Sequence, residues 1–322
     1  ITLLSITIAT ILLLLIAALI SLQYPKVQNY LVNQATDFLS KKYDTEINIS
    51  NININIFSHL VLNDVFVQDW DCDTLLYAKN LEINISKLAL LKKELQINDI
   101  IINDLNINLI RHQNEEWYNY QYPFVLPATR QANIELEKKE LISEKDTLKN
   151  GFKVLLDVET LRLKNFDFRL KNGRSDLSVR LKKADIEVSC LDIYHNELDI
   201  SKALIEKPDV TLRIAPKLYH DNSPYYYDYD FPVGITPPKW LFFVDDVALK
   251  NGRFRLTSGR DTLLYENAIN FNQMDVSDIN IHAQNINIGN DIVEGYFNQF
   301  QAKEQAGFVV ENLSADVFFS TK

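Results

Sequence analysis

The residues of this 322-residue chain whose types can do chemistry are five histidines, an aspartate pair, two cysteines and a cluster of tyrosines. His59, His112, His195, His220 and His282 are scattered, and none stands at metal-ligand spacing from another, so they read as surface histidines. Asp245-Asp246 offers paired carboxylates for acid/base work. At the equivalent place of a repeated segment, however, the chain has Glu159-Thr160, so the pair reads as a strand edge or turn. Cys72 and Cys190 lie far apart with no C-x-x-C, and read as small apolar fillers. Tyr219, Tyr225, Tyr226, Tyr227, Tyr229, Phe231 and Trp240 would suit a sugar, lipid or partner patch. The same Tyr-x-Tyr pattern recurs at Tyr118-x-Tyr120 beside Trp117, which favours a structural turn packed on a sheet.

No phosphate-binding G-x-x-x-x-G-K-[ST], dinucleotide G-x-G-x-x-G, nucleophile-elbow G-x-S-x-G or zinc H-E-x-x-H occurs. Glycine (8) and proline (9) make up about 5% of the chain, against a usual value of about 12%, which leaves little for strained catalytic turns. With 33 Lys+Arg against 43 Asp+Glu the formal charge is −10, unsuited to non-specific nucleic-acid binding. The residues predict no enzyme, no metal and no cofactor.

What the chain offers instead is pattern. Residues 1–22, Ile1 to Leu22, hold no charge, Gly or Pro; as a helix they would span about 33 Å, enough for a ~30 Å hydrocarbon core. We read them as an uncleaved transmembrane signal anchor. The first residue is Ile1, so the chain is expected to be a piece of something longer. Over residues 23–44, Val27, Tyr30, Leu31, Ala35, Phe38 and Leu39 recur at helical spacing. This amphipathic helix is read either as lying on a lipid surface or as capping an adjacent β structure. From residue 45 to 322 the period changes to two, as in Leu81-Glu82-Ile83-Asn84-Ile85 and Ile186-Glu187-Val188, the mark of strands with one apolar and one polar face.

Three internal repeats organise this region. Residues 81–109 recur at 184–212, matching Ile83 with Ile186, Ile85 with Val188, Leu95 with Leu198, Ile97 with Ile200, Ile107 with Val210 and Leu109 with Leu212. Leu163-Lys164-Asn165-x-x-Phe168-Arg169-Leu170 recurs as Leu249-Lys250-Asn251-x-x-Phe254-Arg255-Leu256, with a weaker early copy at Leu62-Asn63-Asp64. The third pairs Tyr118-x-Tyr120-x-Tyr122-Pro123 with Tyr227-x-Tyr229-x-Phe231-Pro232. The repeat offsets locate an insertion at 128–150, a charged stretch read as a mobile loop. The expected fold is mainly β: one sheet of about 15 strands grown by similar units, on the order of 70 Å long. It would be folded lengthwise into an antiparallel groove, or else be a sandwich whose apolar faces fill each other.

The single N-terminal anchor, the amphipathic helix and the I-x-I…L-x-I…I-x-x-x-x-[IV]-x-L units resemble the AsmA-like superfamily. Within it they are most similar to the N-terminal part of TamB-type inner-membrane subunits of the translocation and assembly module of Bacteroidota. Asp73-Thr74-Leu75-Leu76-Tyr77-Ala78, echoed at Asp261-Thr262-Leu263-Leu264-Tyr265, and the L-K-N-x-x-F-R-L strands carry the likeness. The resemblance implies an elongated β-groove (β-taco) with an apolar interior, a single pass through a bacterial inner membrane and a periplasmic bulk. It implies phospholipid transfer and outer-membrane biogenesis, or aid to outer-membrane protein insertion or secretion with an Omp85-type barrel partner. The residues expected to line the groove are Ile83, Ile85, Leu95, Ile97, Ile107, Leu109, Ile186, Val188, Leu198, Ile200, Val210 and Leu212.

Overall fold

Isoleucine alternating with asparagine, as in Ile47-Asn48-Ile49, satisfies a pleated backbone with one wet face, and most of the chain follows that rule. The computed structural model describes residues 24–55, 59–69, 71–85, 94–111, 118–120, 153–155, 158–192, 197–215, 241–259, 268–289 and 292–320. The anchor expected at 1–22, the insertion at 128–150, the cluster Tyr219–Phe231 and Trp240 lie outside the described residues. Among the described residues no helix is long and apolar enough to cross a membrane.

Among the described residues one helix precedes thirteen strands. Helix α1 (Pro25–Tyr43) has Pro at its first turn, where a missing N–H costs nothing, and ends on Asp44 in the left-handed conformation. The strands are β1 (Ile47–Asn55), β2 (His59–Gln68), β3 (Thr74–Ile85), β4 (Glu94–Arg111), β5 (Lys153–Leu155), β6 (Thr160–Asn172), β7 (Ser175–Asp192), β8 (Glu197–Glu206), β9 (Asp209–Ile214), β10 (Leu241–Ser258), β11 (Gln273–Gly289), β12 (Ile292–Glu304) and β13 (Val309–Ser320). They form one sheet in the order β1-β2-β3-β4-β6-β7-β8-β10-β11-β12-β13. Strand β9 continues the line of β8, and the short β5 lies beside the start of β4. Eleven neighbouring positions at ~4.8 Å make a sheet about 48 Å long, shorter than the sequence spacing suggested. The difference arises because β4, β7 and β10 each run for 18 residues, where the reading had assumed more and shorter strands.

The sheet is not purely antiparallel, which corrects the sequence reading. The pairs β4–β6, β8–β10 and β9–β10 are parallel. The cause is arithmetic. Each repeat is a three-strand meander (β2-β3-β4, then β6-β7-β8/β9, then β10-β11-β12), so its last strand points the same way as its first. Units that all begin in one direction must therefore meet in parallel. A parallel pair needs a crossover of a dozen or more residues, which is where the two tyrosine-rich segments fall.

Helix α1 packs on β1, so it caps the first edge of the sheet. Its C-terminus is tied there: the Ile47 N–H donates to Ser40 Oγ at 3.0 Å, and Ser40 Oγ donates to the Ile47 carbonyl.

Candidate functional site

Cross-strand partners point to the same side of a sheet, so the register gives the composition of each face directly. One row across ten strands, β2 to β13, reads Leu62, Leu81, Ile102, Leu163, Ala184, Ile205, Leu249, Ile281, Phe300 and Leu313. The next row reads Leu60, Ile83, Ile100, Leu161, Ile186, Ala203, Val247, Ala283, Phe297 and Ala315. No polar residue interrupts either.

A period-two strand can hold such a face only if its pleat is unbroken, and in these strands it is not. Asp64, Asp104, Asn165, Lys207 and Asn251 all have φ between 51° and 55°. They occupy one line across β2, β4, β6, the β8–β9 junction and β10, with Lys79 and Lys182 on that line in the intervening β3 and β7. Pairing resumes in register on both sides: Asn103 with Lys164, then Leu105 with Phe166. Each left-handed residue therefore interrupts the pleat of its strand while the register is the same on both sides, with a local irregularity at Gly252 between β10 and β11. The interruptions align into a line, a crease in the pleat. Asn and Asp tolerate this conformation best among residues with a side chain.

The crease also shifts the apolar phase by one residue. After Leu163 the next apolar residue is Phe166, three positions on rather than two, and after Ile102 it is Leu105. That the third residue returns to the same face is visible at Gly252. A Cβ placed there would lie 2.7 Å from Leu249 Cδ2 and 3.3 Å from Ile279 Cβ and Pro208 Cγ, so the Leu249 side chain lies over Gly252 and would have to shift for any larger residue. Beyond the crease the apolar face continues as Ile107, Phe168, Val179, Val210, Phe254 and Val276, and then as Leu109, Leu170, Leu177, Leu212, Leu256 and Met274. The Phe166 and Phe168 rings stack at 6.2 Å.

A second line of irregularity runs parallel to the first, six residues away in β4, β8 and β10 and hence about 20 Å distant. It passes through Asn98, Glu159, Ser201, Asp245 and Asn285, the last with φ 53°. The Glu159 N–H donates to the Asn98 carbonyl and the Val188 N–H to the Glu159 carbonyl, so the backbone stays paired across it. Beyond this line Ile85 pairs with Ile97, Val188 with Ile200, and Leu198 with Leu191 and Phe242. The residues named from the sequence thus fall into cross-strand rows: Ile83 with Ile186, Ile107 with Val210, Leu109 with Leu212. For Leu95, the structure gives its pairing with Val154 in β5.

Burial on this face is unusual. The buried apolar residues among those described are Val32, Leu105, Val158 and five alanines: Ala78, Ala184, Ala203, Ala283 and Ala302. A short side chain between Ile and Leu neighbours is covered by them within a single layer. Apart from Leu105 the long ones remain partly open, and among the described residues the largest side chain fully buried is Asn119. All the described strands belong to one sheet, and among the described residues no large apolar side chain of the rows is fully buried, as a second sheet packed on them would require. That corrects the sandwich alternative, in which Leu, Ile and Phe would be fully enclosed.

The opposite face is wet and cross-braced. Asn80 Nδ2 donates to Asn63 Oδ1 and Asn103 Nδ2 to Asn80 Oδ1, an amide ladder beside the crease. Arg169 makes a two-point hydrogen bond to Asp176, and Arg253 to Asp275. These bonds hold both carboxyls below the usual carboxylate range, against the smaller upward push of desolvation. Asp209 receives Arg180 at 3.4 Å and Arg255 at 2.5 Å. Asp246 accepts from His282 Nε2 at 2.7 Å and from Gln284, which lowers its pKa; its neighbour Asp245 lies exposed on the second line. Among the described residues no three His, Cys, Asp or Glu converge as a metal site would need.

Cys72 sits exposed in the β2–β3 turn with φ 66° and Cys190 is exposed on β7, which corrects the filler reading. Asn119 is buried at the sheet end, and Tyr118 beside it stacks on the exposed Tyr120. The Asn119 amide donates to Asp69 Oδ2 at 2.9 Å and to the Asn108 carbonyl, and its Oδ1 accepts the Ile110 N–H. Arg111 stacks over the Tyr118 ring. The first tyrosine motif is thus a fastening of the β4 exit.

Comparison with protein-family models finds no match, and no curated protein matches the chain significantly.

Proposed function

We propose that the chain is a non-enzymatic conduit of the TamB/AsmA-like type, in which the sheet folds along its two creases into a trough with the apolar rows inside. Residues 1–22 anchor it as a single pass in a bacterial inner membrane, and the trough carries phospholipid acyl chains through the periplasm toward the outer membrane. The observation that supports this most is the apolar face itself. It is continuous over ten strands, and its long side chains are left mostly part-open while the buried ones are chiefly alanines.

The energetics suit lipid. An acyl chain exposed to water costs ~0.8 kcal/mol per CH₂, on the order of 10 kcal/mol for one chain. Rows running across the strands remove that cost along the whole path while head groups stay in water. The two ten-strand rows have no polar residue to fix one lipid in place, as a path rather than a binding site requires.

The test is Val188→Asp with Val210→Asp, which sets a carboxylate on the apolar face on either side of the region between the creases. Both residues are partly exposed, so their carboxylates stay hydrated and the sheet keeps its strand signature by circular dichroism. Lipid transfer between donor and acceptor membranes is expected to be lost, and to persist in the polar-face control Lys164→Asp. Undiminished transfer in the double variant would sink the conduit.

A second reading, a scaffold that passes outer-membrane proteins to an Omp85-type barrel, draws on β13, the last strand among the described residues. There Val309, Leu313, Phe318 and Phe319 are exposed, a surface suited to strand addition. Crosslinks from β13 to nascent barrel strands would favour it.

A further inference from the structure

Helix α1 has two unlike long faces. Gln28, Val32 and Thr36, four residues apart, are buried on the side that packs on β1. A different line carries Tyr24, Leu31 and Phe38, seven residues apart and so nearly above one another. They are 62%, 43% and 64% exposed, and Tyr30 beside them is 63% exposed. Most of the apolar stripe visible in the sequence therefore faces outward. No described residue covers it. Three aromatic rings and a leucine in one exposed patch mark a contact surface.

Two observations identify the occupant. The helix carries Lys26, Lys41 and Lys42 against Asp37, a net +2 (3 − 1) in a chain of net −10. It also starts at Pro25, with two residues between it and the uncharged stretch ending at Leu22. Three Cα steps of 3.8 Å bridge about 11 Å at most, so the start of α1 must lie that close to the end of the preceding segment.

We propose that this face of α1 seats in the interfacial layer of an anionic bilayer, with Tyr24, Tyr30, Leu31 and Phe38 at the head-group boundary and the lysines on anionic head groups. The proposal rests on the reading of residues 1–22 as a membrane anchor. Tyrosine, with an apolar ring and a polar tip, is suited to that boundary. The Gln28–Val32–Thr36 side of the helix, about a quarter turn away, is buried, the helix packs on β1, and Ser40 is hydrogen-bonded to Ile47, so the seating sets the β1 edge of the sheet at the membrane surface. The apolar rows, which run from β2 toward β13, then lead away from the bilayer, and the trough opens where lipids are.

The experiment uses the full chain with Cys72→Ser and Cys190→Ser, reconstituted in vesicles of phosphatidylglycerol and phosphatidylcholine. A bimane label is placed in turn at Leu31→Cys, Phe38→Cys and, on the polar side, Asn33→Cys. An interfacial helix buries its apolar face roughly 5–10 Å, so bromines shallow in the acyl chains are expected to quench labels 31 and 38 at least about threefold more than label 33. Lys41→Glu with Lys42→Glu is expected to weaken that quenching in the anionic vesicles but not in pure phosphatidylcholine. Equal quenching at 33 and 38 would overturn the proposal. So would labels shielded from aqueous iodide but untouched by bromolipid, which would mean that protein covers the face. Unchanged quenching of the charge-reversed variant would overturn the anionic choice. A chain that does not float with the vesicles would overturn the anchor reading and this proposal together, whereas a floating chain with an unquenched Phe38 label overturns the seating alone.

Discussion

If the left-handed residues create the crease, a side chain that resists that conformation must cost stability in a calculable way. Asn165 on β6 and Asn251 on β10 have φ of 53° and 55° and are both exposed. A β-branched side chain at such a φ brings Cβ too close to the following carbonyl, at about 1–2 kcal/mol per residue, whereas glycine bears no such cost. Asn165 also donates to Asp104 Oδ1 at 2.8 Å, and any variant loses that bond. The comparison must therefore be valine against glycine, since both lack the amide and differ at φ. The two sites are three strand spacings apart, about 14 Å, so their effects should add. Asn165→Val with Asn251→Val is then expected to be less stable than Asn165→Gly with Asn251→Gly by about 2–4 kcal/mol. The glycine pair should fall within about 1 kcal/mol of the parent, the scale of one exposed hydrogen bond. Urea unfolding followed by circular dichroism reads this as a shift in midpoint at unchanged slope. Valine and glycine pairs of equal stability would refute the reasoning, because they would mean that the strands do not need left-handed residues on this line.

Lys207 is the one left-handed position on the crease held by neither Asn nor Asp, and among the described residues no hydrogen bond or ion pair engages its exposed side chain. Lys207→Asn is therefore expected to raise stability by about 0.5–1 kcal/mol, read in the same urea titration. Asn119→Ala would leave Asp69 Oδ2 and the Ile110 N–H without their partner in a buried place. A loss of about 2–3 kcal/mol is expected, visible as a lower thermal midpoint. Asp176 and Asp275 have carboxyls held below their ordinary range by Arg169 and Arg253. The stability they give is thus present above the ordinary carboxylate pKa of about 4 and is lost as pH falls below it. Unfolding midpoints measured from about pH 6 to about pH 3 should fall less steeply in Arg169→Gln with Arg253→Gln. The difference should be small and salt-sensitive, since both pairs face solvent.

Sequence periodicity alone revealed the class of fold and the apolar partners. Ile83 with Ile186 and Val210 with Ile107 were paired as repeats and occupy matching rows. It suggested about 15 strands side by side, because the alternation was read in short runs such as Ile107-Asn108-Leu109, which the structure merges into strands of up to 18 residues. The signal that could have resolved it was present: an apolar residue, one polar residue, then Asn or Asp, then apolar again, at Leu62, Ile102 and Leu163. The parallel junctions were legible in principle from an odd number of strands per repeat, but only once the strands had been counted correctly. Helix α1 shows a different limit. Its apolar stripe was read correctly as a stripe, yet packing on β1 used Gln28, Val32 and Thr36 instead. Periodicity gives the existence of a face and not its partner.

The central claim is that acyl chains occupy the apolar face. A photo-crosslinking residue placed at Ile186 or Val210 in the full chain, irradiated in cells and analysed by mass spectrometry, tests it without interference from the anchor. The account predicts phospholipid adducts at both positions and none at Lys164 on the wet face. Crosslinked chains with no lipid at Ile186 and Val210 would contradict it.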